Sequence, residues 1–320
     1  MKRRHFNAAL MGAAAALPLR SAWGQERAIR LLVGFPPGGS ADVIARLLAD
    51  KLRLSLGQPV IVENKPGAIG RIALAEVRRA APDGQTLVLT PSGAMVFLPW
   101  LYQNIGYDPV KDFSAIARVS TFDFAVSVGP SGPPGDLKSV LAWMKANPDK
   151  ANYATSGSGG VPHFTGLLIA QASGVPLTHI AYKGGAPAAQ DLVAGQVPMM
   201  VDTATETIEH HRAGRVRIVA VTGEQRSRSL PGVPTLVESG VNVVADGYLG
   251  LYGPAGMPID VVARIDRAVA EALRAPEVQE KIQSFGLVPN HAGSAQLAVV
   301  QAAHYRRWET PIKASGFKAE

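Results

Sequence analysis

The stretch Ile29-Arg30-Leu31-Leu32-Val33-Gly34-Phe35-Pro36-Pro37-Gly38-Gly39-Ser40-Ala41-Asp42 carries the reading of the fold. Its first five residues form a β-rich apolar run, and its Pro/Gly segment stops that run. From Ser40 to Leu56 the pattern becomes helical, with Val43, Ile44, Leu47, Leu48 and Leu52 on one face and charges opposite. A strand, a glycine loop and a helix in that order make up the unit of an α/β sheet, in which ligands bind at the carboxyl ends of the strands.

The alternation continues outward. Val60–Glu63 reads as a strand, Gly70–Ala81 as a helix and Gln85–Thr90 as a third strand. A second series begins near Phe124–Val128 with helix Leu137–Lys145, strand Ala151–Ala154, helix Val161–Ala172 and strand Leu177–Ile180. Helix Ala186–Ala194, strand Met199–Val201, helix Ala204–Ala213 and strand Val216–Val221 complete it. Such alternation predicts mainly parallel sheets with right-handed crossovers. After a strand-like Tyr248–Tyr252, three helical segments ending near Lys313 have no strands of their own, which places them back on the first sheet. The expectation is an α/β protein of two lobes, lobe 1 from residues 25–124 plus 250–320 and lobe 2 from 125–249. A chain of 320 residues is long enough for both cores.

Residues 1–24 read as an export signal, with Lys2, Arg3 and Arg4 at the start, an apolar run from Phe6 to Leu19, and small residues before a cut near Gly24. Arg3-Arg4-His5-Phe6 also fits a twin-arginine start, so the sequence leaves open the choice between that route and the general one. Export places the protein in the periplasm. The leader also deflates the formal charge of +7: four of the 32 basic residues lie in it, leaving 28 against 25 acidic ones. No later segment forms the basic, aromatic-interleaved stripe of a nucleic-acid binder. Past the leader, no run approaches the ~20 apolar residues of a membrane span. Cysteine is absent, which excludes disulfides, thiolate metal sites and a cysteine nucleophile.

Two further loops repeat the first: Thr90-Pro91-Ser92-Gly93-Ala94, and Thr155-Ser156-Gly157-Ser158-Gly159-Gly160-Val161-Pro162-His163. Glycines let a backbone approach a ligand, and a helix start offers unpaired N–H groups with partial positive charge. One such loop reads equally as a tight turn with a cap; three after strands in two lobes point to anion capture. The phosphate-loop and nucleophile-elbow spacings are missing, and Gly157-x-Gly159-x-x-Pro162 breaks the dinucleotide fingerprint. His210-His211 are adjacent and therefore diverge on a helix, so neither a metal site nor a cofactor is expected. With no nucleophile–base pair at motif spacing, the chain reads as a binder rather than an enzyme.

Together these loops resemble the Bug-type (TctC-like) extracytoplasmic solute receptors of tripartite tricarboxylate transport systems. The resemblance is carried by Ile29–Asp42, Leu56–Ala68, Ala81–Leu87 and Tyr107–Phe113, then by Tyr153–Gly159, Tyr182–Gly184, Ala194–Val197, Ala220–Thr222, Leu230–Thr235 and Pro254–Gly256. It implies a type II periplasmic binding fold that closes on a small carboxylate. It also implies a monomeric receptor that delivers the solute to membrane permease subunits; a sensing role toward a membrane kinase is compatible with the same sequence. Carried over residue by residue, it nominates Phe35, Pro37, Gly38, Gly39 and Ser40 on one side and Ser156, Gly157, Gly159 and His163 on the other, with Ser92, Gly93 and Asp202 lining the cleft. The chain departs from the family pattern at Arg71, Gly160 and Thr203. His163 also reads as a packing residue, Asp202 as a cap, Arg71 as a solvated helix start, Lys183 as structural, and Trp100, Trp143 and Trp308 as packing. An Asp202 that faces the cleft favours a ligand with a donor such as an amino group.

Overall fold

The computed structural model describes residues 27–317, so the predicted signal segment lies outside the described residues. Strand β1 (Ile29–Val33) is flanked by β2 (Val60–Asn64) and β3 (Thr86–Pro91), both parallel to it. Four of its five residues are buried, as expected for a strand with helices on both faces. Ile29, Leu31 and Val33 meet Ile44, Leu48 and Leu52 of helix α1 (Ser40–Leu56) and Ile265 and Val269 of helix α9 (Ile259–Ala272). Leu32 points the other way, to Leu74 and Val77 of α2 (Arg71–Arg78) and to Leu297 and Trp308 of α11 (Ser294–Ser315). Gly57, at φ 73°, ends α1 in the left-handed conformation that favours glycine.

The sheet is mixed rather than mainly parallel. Strand β9 (Asp246–Pro254) runs antiparallel to β3 on one side and to β4 (Phe113–Val128) on the other. The 16 residues of β4 serve two groups of strands. Its first part pairs with β9 and with β10 (Val288–Gly293), while Phe124–Val128 pairs antiparallel with β7 (Met199–Thr203) and β8 (Arg217–Val221). Parallel pairing resumes from β7 to β5 (Asn152–Thr155) and on to β6 (Thr178–Ala181). The strands follow the path β2-β1-β3-β9-β4-β7-β5-β6, with β8 and β10 also on β4.

Two expectations are corrected here. Phe124–Val128 does pair with the second group, but its strand begins earlier, at Phe113, and register shifts at Ala115/Ala117 and Arg118/Ser120 erase the period-two pattern that would have revealed it. The C-terminal helices α9, α10 (Pro276–Ser284) and α11 do bring a strand, β10, whose Pro289 and Gly293 obscure it and are tolerated at a sheet edge.

The second group of strands packs Val126, Tyr153, Met199 and Val201 against Leu137, Val140 and Met144 of α5 (Leu137–Ala146) and Ile169 of α6 (Val161–Ser173). On its other face Ala154 and Met200 meet Ala188 and Leu192 of α7 (Gly185–Val193). Gly166 of α6 must be glycine, because a Cβ there would stand 2.0 Å from the buried Tyr153 ring. Among the described residues no helix is long and apolar enough to cross a membrane.

Candidate functional site

The loop Phe35–Gly39 is held from below. Asp42 in the first turn of α1 accepts a hydrogen bond from the Gly38 N–H at 2.9 Å and one from the Asn64 amide at 2.8 Å, and Asn64 also donates to the Phe35 carbonyl at 3.1 Å. Arg46 pairs with the same carboxylate, and these contacts hold Asp42 below the ordinary carboxyl value although its burial acts in the opposite sense. Gly38, at φ 88°, makes the turn. The start of α1 has no side-chain cap, so its N–H groups remain available.

A cavity of about 600 Å³ opens beside this loop. One wall comes from Phe35, Ser40, Pro91, Ser92, Gly93 and Leu249, with Phe285, Gly286 and Leu287 at its rim. Ser156, Val161, Pro162, Asp202, Thr203, Thr205 and Glu206 form the facing wall. Phe122, Asp123, Phe124, Asp246 and Gly247 lie where β4 and β9 pass between the two strand groups.

Of the twelve nominated residues, Phe35, Ser40, Ser92, Gly93, Ser156 and Asp202 come together in this lining. Pro37, Gly38 and Gly39 are exposed on the loop and do not line the cavity. Gly157, Gly159 and His163 belong to the Thr155–His163 loop but do not line the cavity. His163 is buried and accepts the Gly159 N–H on Nδ1 at 3.2 Å, and its ring stacks on His179 with centroids 3.9 Å apart. Phe164 and Phe317 close around that pair. Burial pushes the His163 pKa down; burial and the nearby His163 bring His179 down to about 4, so the stack is of neutral rings. Among the nominated residues His163 therefore supports the loop and does not face the cavity. Arg71 likewise turns away, with its guanidinium 4.1 Å from the Tyr102 ring centroid.

Asp202 combines both readings made of it. It is 4% exposed, and its two oxygens accept the N–H groups of Ser156 at 2.6 Å and Thr203 at 2.8 Å, fixing the second loop. Burial nonetheless raises its pKa above the ordinary value. Three further acids in the lining escaped the sequence reading. Burial and the neighbouring Asp246 push Asp123 up to about 6, and burial and Asp202 raise Glu206. Asp246 accepts from Arg307 at 2.5 Å, with His304 Nε2 at 3.6 Å. A lone acid inside the apolar run Thr121–Val128 was a signal for Asp123; Glu206, in a 3-10 turn after β7, gave none.

The lining thus offers hydroxyls, two uncapped helix starts at Ser40 and Val161, aromatic rings and four carboxyl groups. Among the described residues no cluster of three or more His, Cys, Asp or Glu is arranged to hold a metal ion.

The family model described as the tripartite tricarboxylate transporter family receptor (TctC) matches residues 44–317. A UPF0065 protein encoded in the gbd 5′ region of Cupriavidus necator is 35% identical over 330 residues, spanning 99% of this chain and 98% of its own. The structure of the periplasmic binding protein BugD is similar at a TM-score of 0.75 and 34% identity, covering 92% of this chain and 99% of that one. MatC of Rhodopseudomonas palustris, solved with bound malate, is 30% identical with a TM-score of 0.74, covering 89% of this chain and 99% of its own.

Proposed function

The chain belongs to the TctC family of tripartite tricarboxylate transporter receptors, and from that premise we propose that it captures a small carboxylate-bearing solute in the periplasm and delivers it to membrane permease subunits. The single observation that carries this reading is the cavity of about 600 Å³ walled by the starts of α1 and α6 and by Ser92–Gly93. Its volume lies in the range of small-molecule sites. Malate in the related MatC supports a carboxylate as part of the ligand.

In this reading residues 25–124 with 250–320 form one lobe and 125–249 the other. They close about the β4 and β9 crossings near Asp123 and Asp246. Each uncapped helix start contributes roughly 0.3–2 kcal/mol to an anion, and each hydrogen bond to a charged group roughly 1.5–3 kcal/mol. Six to eight such contacts offset the entropy of capture and leave the ~8 kcal/mol of micromolar binding. In this reading the protein works as a receptor rather than a catalyst, as the description of its family supports.

Gly93 provides the test. It has a negative φ and open space around its Cα, so a leucine there folds normally while projecting into the cavity. Titration calorimetry against mono-, di- and amino-carboxylates should show one-to-one binding by at least one solute in the wild type and none in Gly93→Leu. Binding that survives in the variant places the ligand elsewhere and defeats the reading.

A further inference from the structure

Among the described residues the charged side chains lining the cavity are all acidic, namely Asp123, Asp202, Glu206 and Asp246, with no Lys, Arg or His. That is a poor wall for a ligand that is purely anionic. Resting on the receptor reading above, we propose that the cavity selects a zwitterion, with a protonated amine against the cross-strand pair Asp123 and Asp246 and a carboxylate toward the starts of α1 and α6.

The arrangement of the acids carries this. Asp123 and Asp246 are direct cross-strand partners on β4 and β9, a position where two like charges are destabilising. Asp246 is compensated from behind by Arg307 on α11. Among the described residues Asp123 has no such partner; Ser227 and the Asp246 charge are its polar neighbours. Glu206 stands near Asp202, with no cation beside it among the described residues. Its carboxylate lies so close over the Gly185 Cα that a Cβ there would fall 2.2 Å from Glu206 Cδ. A Cβ on Gly223 would likewise fall 2.5 Å from Asp123 Oδ1. Glycine thus stands at both places where one of these carboxylates needs the room.

Half-buried carboxylates without a counter-charge are unfavourable until something positive arrives. An ammonium group supplies three donors and the missing charge. A dicarboxylate brings its second negative group to the same wall and gains nothing there. The uncapped starts of α1 and α6, which contribute Ser40, Val161 and Pro162 to the lining, remain for the one carboxylate of a zwitterion.

The test is calorimetric titration of the full-length mature protein with matched probes: succinate, glutarate and adipate against β-alanine, 4-aminobutanoate and 5-aminopentanoate. The wild type should bind the best amino-carboxylate at least about tenfold more tightly than its dicarboxylate counterpart. Asp123→Asn should erase most of that preference, while Glu206→Gln, beside Asp202 on the facing wall, should leave most of it, with thermal melts confirming that both fold. Dicarboxylates binding as well or better, in a manner abolished by Gly93→Leu, would leave the receptor standing and overturn the zwitterion. An amine preference unchanged in Asp123→Asn would overturn the assignment to this pair. If neither class binds, the receptor reading falls and this inference with it.

Discussion

Replacing Asp123 by Asn should make the ligand-free protein more stable at neutral pH. Burial and Asp246 raise the Asp123 pKa from its ordinary 3.8 to about 6. At 1.36 kcal/mol per pH unit, that corresponds to a penalty of up to about 3 kcal/mol once both folded and unfolded chains are ionised. The sign follows from proton counting. Below the unfolded value both states hold the proton and no penalty exists. Between 3.8 and about 6 the folded chain keeps a proton that the unfolded chain has lost, so wild-type stability falls as pH rises through that window. Above it the penalty is constant. Asn removes the charge in nearly the same shape, so a gain of about 1–3 kcal/mol, or roughly 2–6 °C in Tm, is expected at pH 8. Urea unfolding of both proteins from pH 4 to pH 8 is the assay; the two curves should converge toward pH 4 and separate above pH 6. A variant no more stable than wild type at pH 8, or a gap that stays the same at pH 4, would refute the reasoning. The same substitution is expected to weaken amine binding, the trade of stability for function that a binding site with unpaired charge implies.

Gly185→Ala should destabilise the protein by forcing Glu206 off the Gly185 Cα, and Glu206→Ala in the same chain should restore most of the loss, as thermal melts of the double-mutant cycle would show. Trp308→Ala, removing a fully buried indole packed edge-on to Phe97 at 5.0 Å, should cost about 3–5 kcal/mol in urea unfolding. His163→Phe keeps the ring packing but loses the bond from Gly159, so solute affinity measured by calorimetry should change by less than about threefold; a tenfold loss would mean that His163 meets the ligand directly.

The first loop was legible because its chemistry is local. Ile29–Val33 is apolar enough to be a covered strand, Gly38 takes a positive φ, and Ser40–Leu56 alternates at helical period, all within one continuous stretch. The same holds for Ser92–Gly93 and for Ser156, which the structure brings to one cavity. The acid wall was not legible in this way. Asp123, Glu206 and Asp246 come from three distant segments and meet only because β4 runs unbroken past Phe124 between β9 and β7. The bulges that hide the start of β4 in the sequence therefore also hid half of the site. His163 shows the opposite limit. A histidine in the first turn of a helix fits a ligand role or a packing role equally, and it is the distant His179 and Phe317 that draw it into packing.

The central claim is most directly tested by a crystal structure of the protein with its tightest-binding solute from the matched panel. The account predicts the solute in the cavity, its carboxylate within about 3.2 Å of donors near Ser40 or Val161 and its nitrogen within the same reach of Asp123 or Asp246. A solute seated outside this cavity, or one whose amine turns away from the acid wall, would contradict it.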